Sequence, residues 1–152
     1  MIKVSLYYHL RFNLYMIKPF HLAIPVIDLA KAITFYESVL GCSRGREDEN
    51  WIDFNLYGHQ LVCHLSDADS TQINNLVDGD NIPVPHFGVI LDFHEFDALS
   101  ERLKKNNQKF IVEPRTRFKG EAGEQRTMFI CDPSNNAIEF KAFANLDNLF
   151  KP

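Results

Sequence analysis

The stretch CDPSNNAIEFKAF, residues 131–143, decides how the rest of the chain is interpreted. Its second half alternates. Ile138, Phe140 and Ala142 are apolar, and Glu139 and Lys141 stand between them. A period of two predicts a β-strand with one face against a core. Asp-Pro-Ser-Asn-Asn ahead of it is turn chemistry, because each of these residues favours a bent backbone for its own reason. RTMFIC (126–131) runs into that turn as a preceding strand. The ordinary place for Glu139 is solvent, so the question is whether the polar face of this strand is wet or lines a site.

The first half of the chain repeats the layout. NWIDFNLYG (50–58) and HQLVCHLSD (59–67) form a hairpin about Gly58-His59. Aligning Gly58 with Asn135 sets Leu61 against Ile138, Val62 against Glu139, Cys63 against Phe140 and His64 against Lys141. Further upstream, PFHLAIPV (19–26) is a strand carrying His21, and PVPHFGVIL (83–91) is its counterpart carrying His86. A helix follows each. In DLAKAITFYESVLG (28–41), Leu29, Ile33, Tyr36 and Leu40 share one face, Asp28 caps the start and Gly41 stops the end. In DFHEFDALSERLKKNN (92–107), Phe93, Phe96, Leu99 and Leu103 make the stripe, with basic residues in the last turn. Short strands near 42–47 and 109–113 complete each unit. The order strand, helix, three strands therefore occurs twice. The expected fold is α+β: two βαβββ modules forming a curved mixed sheet around a central cavity, with helices outside. The expected boundaries are an N-terminal extension at 1–15, modules at 16–66 and 83–143, a polar connector at 67–82 and a tail at 144–152.

The composition fits such a domain. The chain has 152 residues, 45% hydrophobic and 24% charged, with a formal net charge of −4. An acidic balance gives no footprint for nucleic acid. The opening MIKVSLYYHLRFNLY is too short and too polar to span a membrane and lacks the order of a signal peptide. Cys42, Cys63 and Cys131 are odd in number, widely spaced and set among apolar residues. They are expected to be free thiols in a reducing compartment, the cytoplasm.

Each predicted strand separates a continuous apolar face from a mixed one. The mixed faces hold His21, Ala23, Trp51, Asp53, Asn55, Tyr57, Gln60, Val62, His64, His86, Gly88, Ile90, Thr127 and Phe129. That combination of apolar wall and a few polar groups suits a small-molecule pocket better than a solvent face.

The segments FHLAIPVIDLAKAITFYESVLG (20–41), PHFGVIL (85–91) and FICDPSNNAIEF (129–140) resemble the vicinal oxygen chelate superfamily. Its members include glyoxalase I, fosfomycin-resistance thiol transferases, bleomycin-resistance proteins and extradiol dioxygenases. The resemblance covers roughly residues 18–143 and is greatest to small predicted extradiol dioxygenases. It implies a divalent metal held by His21, His86 and Glu139. Fe(II) or Mn(II) is the expected ion, with Zn(II) or Ni(II) as alternatives. Two imidazoles and a carboxylate on one side of an ion leave positions open for substrate and O₂, and the same set can hold a catalytic zinc. A glyoxalase I would carry a carboxylate where this chain has Val62, which disfavours that activity.

The implied reaction is ring cleavage of a small molecule with adjacent oxygens. The alternatives are a lyase, isomerase or thiol transferase using the metal as a Lewis acid, or a metal-free binding protein of the antibiotic-resistance kind. His64 is the candidate acid/base group or fourth ligand. Gln60, Asn55, Tyr57 and Phe129 are candidate pocket walls. Arg117 and Lys119, with Arg115, are candidates to meet an anionic substrate group from the loop RTRFKGEAGEQ, residues 115–125. A homodimer is expected, with each site drawing on one chain or on two.

Overall fold

A computed structural model describes residues 18–68, 73–77, 79–121 and 123–150. The proposed extension at 1–15 lies outside them. The first module runs β1 (His21–Val26), α1 (Leu29–Ile33), a π-helical turn (Thr34–Val39), β2 (Ser43–Asp48), β3 (Trp51–Leu56) and β4 (His59–Leu65). The second runs β7 (Phe87–Leu91), α2 (Phe93–Lys105), β8 (Phe110–Arg117), β9 (Gln125–Cys131) and β10 (Ala137–Phe143). Each module forms its own four-stranded sheet, ordered β1-β4-β3-β2 and β7-β10-β9-β8. In both, the first pair is parallel and the others antiparallel. The α+β fold of two βαβββ units is therefore present, with two sheets in place of one continuous sheet.

The register reproduces the duplication. Leu22 pairs with Leu61 in the first module, and Phe87 pairs with Ile138 in the second. Leu61 and Ile138 thus hold equivalent places, as do Val62 and Glu139. Gly88 lies opposite Glu139, and a Cβ there would overlap the Glu139 backbone carbonyl. Only glycine lets β7 approach β10 at this point.

Local chemistry accounts for the helices. The Asp28 carboxylate accepts from the Lys31 N–H at 3.0 Å, and Asp92 and Glu95 form a reciprocal capping box on α2. The widened turn after α1 has Leu40 N–H donating to the Phe35 carbonyl five residues back, at 3.0 Å. It lets the adjacent Phe35 and Tyr36 both turn inward, where Tyr36 stacks on Phe54 with ring centroids 5.0 Å apart.

The apolar faces of both sheets and both helices share one core, which includes Ile24, Leu61, Phe54, Leu103, Ile138 and Phe140. Polar bonds join the modules around the 132–136 turn. Asp132 Oδ1 accepts from the Ser134 and Asn136 N–H groups, and Oδ2 accepts from the Asn136 amide and the Tyr36 hydroxyl, all within 2.8–3.0 Å. Asn136 Nδ2 also donates to the Pro25 carbonyl at 2.8 Å.

Two expectations need correction. The segment expected as a polar connector at 67–82 contains a strand, β5 (Ile73–Val77), which pairs antiparallel with β6 (Asp80–Val84). The loop expected from Arg115 begins later, because β8 continues to Arg117 and pairs Arg115 with Thr127. Among the described residues no helix is long and apolar enough to cross a membrane.

Burial raises three acidic side chains of the core. Cys42 is pushed up to about 11 by burial, against the Arg102 charge. Cys63 and Tyr36 are also raised, first by burial and then by the Asp132 carboxylate. The unfolded chain releases these protons first, thiols from about pH 8.5 and phenol from about pH 10. Below that window the native state keeps its full stability, and above it stability falls with each increment of pH. Urea unfolding at about pH 8 and pH 10.5 should show a lower midpoint at the alkaline end. An unchanged midpoint would contradict the burial of these groups in the folded state.

Candidate metal centre

In the second module, β10 turns Glu139 to the mixed face of its sheet, and His86, just ahead of β7, lies beside it. His86 Nε2 lies 3.2 Å from Glu139 Oε2. Its Nδ1 lies 2.7 Å from the Pro83 carbonyl. A carbonyl only accepts, so Nδ1 carries the proton and neutral His86 presents the Nε2 lone pair to a carboxylate. Two acceptors at this distance need a cation between them: a proton on the ring, or a metal. The Glu139 side chain is only 11% exposed, which sharpens that need. Its other oxygen accepts from Thr127 Oγ1 at 2.7 Å and faces Lys141 Nζ at 3.6 Å. Phe129 closes the site edge-on to the imidazole at 5.1 Å.

The first module orients its histidine by other means. His21 Nδ1 is 2.8 Å from Gln60 Oε1, and Gln60 Nε2 donates to Asp53 Oδ2 at 3.0 Å. Asp53 is buried behind Gln60 and also faces Arg46 at 3.5 Å. Val62, in the place of Glu139, gives this module no carboxylate of its own at that position.

One chain therefore brings together two of the three expected ligands. His86 and Glu139 are neighbours, and His21 sits in the other sheet. Among the described residues no three His, Cys, Asp or Glu side chains are grouped to hold a metal. The donor chemistry of the pair still fits a borderline or hard divalent ion: one imidazole lone pair and one carboxylate oxygen, each already held by an outer hydrogen bond.

The other expected residues are distributed. His64 is exposed on β4, level with Trp51 and Pro25 and two residues beyond Val62 on the same face. Gln60 lines a cleft of about 460 Å³ between the edges of the two sheets, together with Leu22, Tyr57, Gly88 and Ile90. Asn55 Oδ1 accepts from the Gly58 N–H at 2.6 Å, a turn contact. Asn55 and Tyr57 line a cleft of about 510 Å³ against α2, whose wall includes His94 but not His21, His86 or Glu139. The smaller cleft lies against β1, which carries His21, and β7, which follows His86, although His21, His86 and Glu139 are not among its lining residues. Arg117 ends β8, and Lys119 is exposed in the turn beyond it. Arg115 pairs with Asp80 on the β5–β6 hairpin.

Thr127, Asp53 and the Pro83 carbonyl were not expected to serve the site. Alternation placed Thr127 and Asp53 on the mixed faces. Their contacts depend on cross-strand register, and the carbonyl contact is made locally, three residues back from His86.

Residues 18–140 match the Glyoxalase/Bleomycin resistance protein/Dioxygenase superfamily. A glyoxalase/bleomycin resistance protein/dioxygenase from Alicyclobacillus acidocaldarius is 36% identical, with a TM-score of 0.73 over 88% of this chain and 96% of that one. The fosfomycin resistance protein FosX from Listeria monocytogenes shares the fold at 19% identity and TM-score 0.66, over 88% and 98% of the two chains. Lactoylglutathione lyase from Agrobacterium tumefaciens does so at 17% identity and 0.60, over 89% and 97%. No curated protein matches the sequence.

Proposed function

This chain belongs to the glyoxalase/bleomycin resistance protein/dioxygenase superfamily, and on that premise we propose that it is a metal-dependent enzyme acting on a small molecule with adjacent oxygens. The carrying observation is the His86–Glu139 pair, whose imidazole lone pair and carboxylate oxygen face each other at 3.2 Å. His21 of a second copy supplies the remaining ligand, since a single chain keeps it in the other sheet. The active form is therefore a homodimer with shared sites.

A divalent ion held there would bind and polarise paired substrate oxygens and, as Fe(II) or Mn(II), support ring cleavage with O₂. The protein's part is positioning. Pro83 and Thr127 hold the two ligands in orientation. Phe129 and Ile90 supply apolar wall against water. His64 is the group on the mixed face suited to carry a proton at neutral pH. Arg117 and Lys119 stand at the end of β8 for an anionic substrate group.

A second reading keeps the ligands and drops the oxidant: Lewis-acid chemistry, a lyase or a transfer to an electrophile. The fold shared with FosX and with lactoylglutathione lyase favours it. Protein loaded anaerobically with Fe(II) should take up O₂ with a member of a catechol panel. Absence of uptake with metal bound would exclude the oxygenase form, and turnover with Zn(II) or Ni(II) would select the second.

Site sharing has its own test. In a heterodimer of His21→Ala and Glu139→Gln chains, one site carries both changes and the other carries neither. Random reassortment should then restore about one quarter of wild-type sites. No recovery on mixing, with heterodimers demonstrated, would reject a shared centre.

A further inference from the structure

The two histidines solve the same problem with different parts. His86 spends its Nδ1–H on a backbone carbonyl. His21 Nδ1 instead lies 2.8 Å from a side-chain amide oxygen. That amide is itself not free to turn. Gln60 Nε2 faces the Asp53 carboxylate at 3.0 Å, and a carboxylate only accepts, so the amide must point its NH₂ inward and its oxygen at His21. Asp53 is buried and lies cross-strand from Val62, beside the His21–Gln60 pair. The close approach of Gly45, where a Cβ would meet Asp53 Cβ at 3.0 Å, leaves room for this carboxylate beneath the strand.

We infer that Gln60 and Asp53 are positioning residues: the chain Asp53–Gln60–His21 locks the imidazole into its Nδ1–H form and presents Nε2 as a lone pair. In water a neutral histidine prefers the opposite form, with the proton on Nε2, so the network reverses an intrinsic preference. The consequence for metal binding rests on the functional reading above, in which Nε2 of His21 is a ligand. The relay itself does not.

The test begins with the metal-free full chain at a pH about two units above an ordinary imidazole pKa. Imidazole ¹⁵N shifts should show His21 with a protonated Nδ1 and a bare Nε2. Gln60→Leu should move the ring toward the Nε2–H form and weaken Mn(II) and Zn(II) affinity about ten- to a hundredfold. The pair D53N/Q60E should restore both, because the new amide at 53 donates to the new carboxylate at 60, which accepts from His21. A merely structural role for Gln60 would move the unfolding midpoint and leave the tautomer in place. A wild-type His21 already in the Nε2–H form, or a tautomer unchanged by Gln60→Leu, overturns the inference. If the tautomer responds as stated but wild-type protein binds neither metal, the relay stands and the functional reading falls.

Discussion

In the proposed metal centre, Glu139→Gln should abolish metal binding while leaving the fold intact. The replacement is isosteric, and the Thr127 hydroxyl at 2.7 Å can still donate to the amide oxygen. What disappears is the negative charge opposite His86 Nε2. Loss of an outer hydrogen-bond partner weakens a metal about 10–100-fold, and loss of a ligating charge should exceed that. We expect affinity for Mn(II) or Zn(II) to fall more than about a hundredfold by calorimetric titration, and turnover to fall with it. The unfolding midpoint should move little, because the amide keeps the side chain's shape and both contacts: its oxygen accepts from Thr127 and its nitrogen can donate to His86 Nε2. Full metal affinity in the variant would remove Glu139 from the centre.

The same geometry ranks the neighbouring changes. Thr127→Val removes a donor to Glu139 Oε1 and keeps the carboxylate, so its effect should fall within the outer-partner range of about 10–100-fold. Gly88→Ala acts through the backbone: its Cβ collides with the Glu139 carbonyl, so β10 must shift and carry the ligand with it.

Much of this arrangement follows from periodicity and turn chemistry alone. The turn at Gly58-His59 and the turn at 132–136 suffice to place Leu61 on Ile138, and the sheet registers give the same equivalence. His21 and His86 fall into matching positions for the same reason. What periodicity does not encode is partnership across the sheet or between modules. Asp53 belongs to the same alternating face as Trp51 and Asn55, and nothing local marks it as the anchor of Gln60. The β5–β6 hairpin is not marked by periodicity because its strands, INNLV and DNIPV, are short and rich in Asn and Asp, and β5 is largely exposed. Whether His21 meets Glu139 depends on how whole modules pair, a matter of interfaces between sheets. The Asp-Pro-Ser-Asn-Asn turn is the clearest case, since its sequence announces a bend and conceals a buried charge whose partner, Tyr36, is 96 residues away.

That buried charge predicts the largest change in stability. Asp132 is 5% exposed, and its two oxygens accept four hydrogen bonds: two from backbone N–H groups, one from the Asn136 amide and one from the Tyr36 hydroxyl. Asp132→Ala leaves these donors facing a cavity. Each unsatisfied buried donor costs about 1–3 kcal/mol, so four of them together place this change among the most destabilising single substitutions. Because Tyr36 belongs to the first module and Asp132 to the second, the loss should also loosen one module from the other. Urea unfolding should show a midpoint lowered in proportion, with an unchanged slope if the modules still unfold together and a shallower one if they separate. Asp132→Asn keeps the shape and one carbonyl acceptor, but its amide nitrogen cannot accept from the groups facing it, so an intermediate loss is expected. Tyr36→Phe removes a single donor and should cost about 1 kcal/mol. If Asp132→Ala proves no more harmful than Tyr36→Phe, water entering the site must satisfy the donors, and the turn is then a surface feature instead of the clasp between the modules.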